Sequence, residues 1–117
     1  MKRSEEITTQ YFDFLINHIR QVVSGEVPEF MEVNEIAGEL AVSHKHLTDT
    51  IKKKTGQHPC YFYDEEIIRQ AKQMLVDSDK SVAEIARILT YDPSNFSKFF
   101  KKVTGKTPGD FRSSSSR

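Results

Sequence analysis

VNEIAGELAVSHKHLTDTIKKKTGQHPCYF at residues 33–62 and VAEIARILTYDPSNFSKFFKKVTGKTPGDF at residues 82–111 are one segment written twice. They align without a gap at an offset of 49, with 11 of 30 positions identical. The identities include Ile36/Ile85, Ala37/Ala86, Leu40/Leu89, Gly56/Gly105 and Pro59/Pro108. Two copies are too few for a solenoid, so the repeat marks one supersecondary unit used twice.

Each copy predicts two helices. Val33, Ile36, Ala37 and Leu40 fall at i, i+3, i+4 and i+7, as do Val82, Ile85, Ala86 and Leu89, one apolar stripe per helix. Ser81 with Glu84 reads as a capping box, whereas Glu32 is a poorer cap for the first copy. A short break follows at Ala41-Val42 and Thr90-Tyr91. Ser43 and Asp92 then suit the N-cap, and Pro93 the first helical turn. Gly56 and Gly105 stand where a left-handed residue closes a helix, with Pro three residues later. Helix, short turn, helix is the helix-turn-helix unit.

The second helix of each copy carries the candidate site. Leu47 and Ile51, and Phe96, Phe99, Phe100 and Val103, form the inward stripes. Lys45, Thr48, Asp49 and Lys52, and Ser94, Ser97, Lys98 and Lys101, form a polar, mostly cationic outer face at i, i+3, i+4 and i+7. His46 and Asn95 flank that face, while Lys53 and Lys102 add charge towards the C-terminal ends. Lysine there also suits the helix dipole, so part of this pattern is structural.

Outward from the repeat, Thr8–Val23 predicts a packing helix with Phe12, Leu15, Ile16, Ile19, Val22 and Val23 on one face, ended by Gly25 and Pro28. The same face is a candidate dimer contact. Asp64–Val76 predicts a connector helix roughly 20 Å long. No strand pattern competes. The expected class is all-α: two helix-turn-helix subdomains on a connector, with an N-terminal helix before them. The expected divisions are an N-terminal helix (1–28), a first unit (29–62), the connector (63–77), a second unit (78–112) and a disordered tail (113–117).

The composition agrees with a nucleic-acid partner only when divided. The 117 residues have a net charge of zero. Residues 1–40 hold three Lys/Arg against eight Asp/Glu, while residues 41–117 hold fourteen against nine. A chain with one basic end still presents a footprint for a polyanion. No apolar run approaches the roughly 20 residues of a membrane span, and the start lacks a secretory signal pattern, so a soluble intracellular protein is expected. One cysteine, Cys60, excludes an internal disulfide framework. His44 and His46 are two apart on a helix and diverge, so no metal site is expected. Cys60 with His58 lacks the orienting acid of a nucleophile pair. Gly105-Lys106-Thr107 ends like a phosphate-binding loop but has Phe100 where that loop needs glycine. The chain is expected to be no enzyme and to need no cofactor.

Residues 29–112 resemble the AraC/XylS family of bacterial transcription regulators. Ser94-Asn95-Phe96-Ser97-Lys98-Phe99-Phe100-Lys101-Lys102, continuing through Gly105-Lys106-Thr107-Pro108 to Phe111-Arg112, is similar to that family's C-terminal signature, and Ser81–Ala86 also matches. The resemblance implies a seven-helix domain that binds adjacent major-groove segments as a monomer. The family usually has Gly-Phe where this chain has Thr90-Tyr91, and the stretch to Phe96 is one residue shorter. Tyr91 can fill the core as Phe would, but Thr90 lacks glycine's freedom in left-handed geometry. Asp49 stands where relatives are often basic or polar; it either accepts from cytosine N4 or marks a helix that meets DNA at an angle. Expected partners are double-stranded DNA and, for a transcription regulator, RNA polymerase. The competing class is a helical protein-interaction or sensing module without DNA binding, supported by Asp49 and the zero net charge. Met1 and a start almost directly in a helix point to a stand-alone member rather than a fragment of a longer regulator.

Overall fold

A computed structural model describes residues 2–115. Within them lie seven helices and no strand: α1 (Lys2–Ser24), α2 (Val33–Glu39), α3 (His44–Thr55), α4 (Pro59–Asp77), α5 (Val82–Ile88), α6 (Pro93–Thr104) and α7 (Pro108–Ser115). The repeat is exact in the backbone. The bounds of α2 and α3 and the start of α4 recur, shifted by 49, as α5, α6 and the start of α7.

The same local bonds close both units. Glu32 N–H donates to Glu35 Oε1 at 2.8 Å, and Ser81 N–H to Glu84 Oε1 at 2.8 Å. Ser43 Oγ accepts from His46 N–H, and Asp92 from Ser94 and Asn95 N–H. Gly56 and Gly105 cap α3 and α6 at φ 83° and 86°, and beyond them the hydroxyls of Thr55 and Thr104 each bracket the turn. Each hydroxyl donates back to Ile51 or Phe100 C=O and accepts from Gln57 or Lys106 N–H.

The helix-turn-helix turns are left-handed in both copies without glycine. Ala41 has φ 61° and Thr90 φ 63°. A Schellman pair holds each: Val42 N–H to Ala37 C=O with Ala41 N–H to Gly38 C=O, and Tyr91 N–H to Ala86 C=O with Thr90 N–H to Arg87 C=O. These bonds, and packing of the half-buried Tyr91 ring against the core, hold Thr90 in a region that β-branched residues rarely adopt. The turn that the missing glycine called into question keeps its form.

The two units share one core. One buried cluster runs from Ile7, Tyr11, Leu15 and Ile19 of α1 through Ile36, Leu47 and Ile51 to Ile85, Leu89, Phe96 and Phe100. The connector α4 supplies Tyr63, Ile67, Ile68, Ala71 and Leu75 to it, and packs against α1, α3, α5, α6 and α7. Helix α1 leans on α2 and α3 and reaches α5, tied by Tyr11 Oη donating to Pro59 C=O at 2.7 Å.

Three sequence boundaries need correction. The connector starts at Pro59 rather than residue 63, because His58 caps it through Nδ1, accepting Cys60 N–H at 3.1 Å, and Pro59 fits the first turn. Its 19 residues span about 28 Å rather than 20 Å. Helix α1 starts before Thr8, since Ile7 and Tyr11 extend its buried stripe. The tail is helical to Ser115, because α7 opens on Pro108 and Thr107 Oγ1 accepts Asp110 N–H at 3.1 Å; residues 116 and 117 lie outside the described part. Phe111 and Arg112 fasten α7, Arg112 donating to Leu75 C=O at 2.9 Å and Ser78 C=O at 3.2 Å. A cation there also meets the negative end of the connector's dipole.

Candidate nucleic-acid interface

Inward anchoring sets which side chains of α3 and α6 face water. Leu47, Thr50 and Ile51 are buried on α3, and Phe96 and Phe100 on α6. Lys45, His46, Asp49, Lys52 and Lys53 are therefore exposed, as are Ser94, Asn95, Lys98, Lys101 and Lys102. Two of the expected residues sit differently. Thr48 and Ser97 are half-buried, and the Thr48 hydroxyl is turned out of solvent with no hydrogen-bond partner. The remaining ten share the outer faces of the two helices.

The electrostatics of the two faces differ. On α3, Lys45 Nζ meets Asp49 Oδ2 at 2.8 Å, four residues apart and both well exposed. The ammonium beside it holds the Asp49 carboxyl below the usual carboxylate range, and Lys45 is raised in turn. Lys54 leans away to Glu5 of α1 at 3.7 Å. Only Lys52 and Lys53 are left on α3 without an ion pair among the described residues. On α6, Lys98, Lys101 and Lys102 all are. Its one acid, Asp92, is engaged in capping: the Ser94 hydroxyl donates to it at 2.8 Å, and its carboxyl is lowered mainly by that bond. Asp49 is thus the partner of a lysine, a role its i, i+4 spacing to Lys45 already carried.

Exposed cations and short polar side chains on the second helix of a helix-turn-helix are suited to phosphates and base edges. Comparison with known proteins decides which helix-turn-helix this is. A helix-turn-helix domain family matches residues 36–114. The transcriptional activator RhaS of Yersinia pestis is 32% identical over 105 residues, 89% of this chain and 36% of its own. The chain belongs to the AraC/XylS family of transcription regulators.

Solved structures repeat the fold of this AraC/XylS chain. The C-terminal domain of AraT, a response regulator from Geobacillus stearothermophilus, superposes with a TM-score of 0.79 at 24% identity, covering 92% of this chain and 84% of that one. The DNA-binding domain of AdpA, solved in complex with a target DNA, gives 0.75 at 21% identity, covering 92% and 90%. The chain spans 13% to 36% of the length of the curated relatives it matches first. No helix among the described residues is long and apolar enough to cross a membrane.

Proposed function

We propose that this AraC/XylS chain binds double-stranded DNA sequence-specifically as a transcription regulator, laying α3 and α6 into successive major-groove segments as a monomer. It acts in the cytoplasm, on the nucleoid, with RNA polymerase as its protein partner. The observation that carries this reading is the backbone repeat: one helix-turn-helix built twice on one connector, each with a cationic second helix. Two reading units in one chain do what a dimer does for single-unit proteins. Ser94 and Asn95 on α6, and His46 with the Lys45–Asp49 pair on α3, address base edges. Lys52, Lys53, Lys98, Lys101 and Lys102, with Lys106, address phosphates.

Salt tests it. About six free lysines on phosphates give a log–log slope of affinity against salt near about −5. A fluorescence-anisotropy titration on a site selected from a random duplex library measures that slope. A slope shallower than about −2, or no site enriched at all, would leave the helical interaction module as the better reading.

A further inference from the structure

A cavity of 530 Å³ opens between the first unit, the start of the connector and the turn of the second unit. That volume lies within the range of small-molecule sites. Its walls are aromatic and aliphatic. Phe30 and Tyr63 meet edge to face with centroids 6.0 Å apart, Phe30 and Tyr91 lie 6.4 Å apart, and Ile67 completes the apolar lining.

Two acids face this apolar space, Glu32 at the rim and Asp64 at the connector. Asp64 is half-buried, yet it accepts no hydrogen bond and joins no ion pair among the described residues. Burial pushes its carboxyl above the usual range, outweighing the pull of Lys102. Beside it Tyr63 is only 6% exposed, and its hydroxyl has no partner; the nearby Met31 N–H is already given to His18 Nε2 at 2.9 Å. A carboxylate with no direct partner in a partly desolvated site is unfavourable unless something supplies the opposite charge.

We propose that this cavity binds a small organic ammonium ion, its charge held by Asp64 and its apolar body between the rings of Phe30, Tyr63 and Tyr91. Ring faces attract cations, so the aromatic walls and the carboxylate favour the same ligand. An anion is the wrong occupant. The histidines at the rim, His44 and His58, stand at the starts of α3 and α4, where an anion would be welcome. But His58 Nδ1 already accepts a backbone N–H, and Asp64 and Glu32 repel negative charge. Because Tyr91 belongs to the second unit and Asp64 to the connector, an occupant would touch both halves of the molecule.

The test needs no DNA, so it can be read whether or not the chain binds DNA. Amide chemical shifts of the full chain are followed while titrating 2-phenylethylammonium, the neutral 2-phenylethanol and the anionic 3-phenylpropanoate. The ammonium should bind most tightly, with the largest shifts at Phe30, Tyr63, Asp64 and Tyr91. Asp64→Asn should weaken the ammonium about tenfold, as expected for losing one charged contact, and leave the alcohol unchanged. Asp64→Glu should retain the preference for the cation. The proposal is overturned if the alcohol binds wild type as well as the ammonium does. It is also overturned if Asp64→Asn keeps full affinity while its melting temperature shows it folded, or if the shifts gather elsewhere.

Discussion

The first and second helix-turn-helix units share a backbone and differ in what they add to it. The first is buttressed from outside. Its α3 packs under α1, its inward residues are the aliphatic Leu47 and Ile51, and two of its lysines are tied to acids, Lys45 to Asp49 and Lys54 to Glu5. The second is held from within by rings. Tyr91 stacks on Phe99 at 5.3 Å, Phe96 lies 5.9 Å from Phe100, and Phe100 meets Phe111 edge-on at 5.6 Å. Its α6 lysines, Lys98, Lys101 and Lys102, join no ion pair among the described residues. Positions that set the chain path, such as Ile36/Ile85, Gly56/Gly105 and Pro59/Pro108, are held in common, as are the outward lysines Lys52/Lys101 and Lys53/Lys102, while the outward Lys45/Ser94, His46/Asn95 and Asp49/Lys98 have diverged. A duplicated fold can therefore be kept while its two faces take unequal work.

The largest effect should separate the cores. Phe100→Ala removes a fully buried ring shared with Phe96 and Phe111 and should cost about 3–5 kcal/mol in urea unfolding. Its counterpart Ile51→Ala should cost about 2–4 kcal/mol. A second unit that tolerated Phe100→Ala better than the first tolerates Ile51→Ala would not be organised by its rings.

The faces come next. Lys98→Ala with Lys101→Ala should weaken DNA binding roughly 50-fold at 0.1 M salt and shrink the salt slope by about two. Lys45→Ala with Lys52→Ala should cost roughly tenfold and shrink the slope by about one, because Lys45 is already neutralised by Asp49. Equal losses would mean that the ion pair opens on DNA and the two faces contribute alike.

That asymmetry shows how far the sequence could be read. The offset of 49 made the two units, their caps at Ser43 and Asp92, and the outward lysines legible, because each rests on spacing within a dozen residues. The Lys45–Asp49 pair was written in the same spacing, but its outcome depended on which lysine rotamers the fold leaves free. What lay beyond reach depends on contacts distant in sequence. Tyr11 bonding to Pro59 ties α1, itself legible as a packing helix, to the start of the connector, and Arg112 bonding to Leu75 and Ser78 turns the expected loose tail into a docked helix. The inward turn of the Thr48 hydroxyl, on a helix whose lysines stay exposed, follows from packing rather than periodicity.

The turns give a finer comparison. Thr90→Gly should stabilise the chain by about 1 kcal/mol, because a β-branched residue is strained at φ 63°. Ala41→Gly should gain less, since alanine has less to clash. Chemical denaturation of both variants decides it, and a loss of stability at Thr90→Gly would mean that the threonine side chain is itself needed.

The smallest effect is confined to the first unit's buttress. His18 is buried, and its Nε2 accepts Met31 N–H at 2.9 Å. Burial lowers its pKa from 6.5, with Glu35 opposing. A group whose folded pKa is lowered contributes fully above its unfolded pKa and is lost as pH falls through the folded one. Stability should therefore fall below about pH 6.5 through this residue, and His18→Gln, which keeps an acceptor but does not titrate, should flatten that part of the profile. The second unit has no counterpart, so an unchanged profile in His18→Gln would place the acid sensitivity elsewhere.

The central claim is that both units of one chain read one duplex. Footprinting a monomer on a selected site tests it most directly. The account predicts two protected major-groove segments on one side of the duplex, about one turn or roughly 34 Å apart, with the α3-side segment lost first when Lys52 and Lys53 are replaced and the α6-side segment when Lys98 and Lys101 are. A single protected segment of about five base pairs, indifferent to every substitution in one of the two helices, would contradict it.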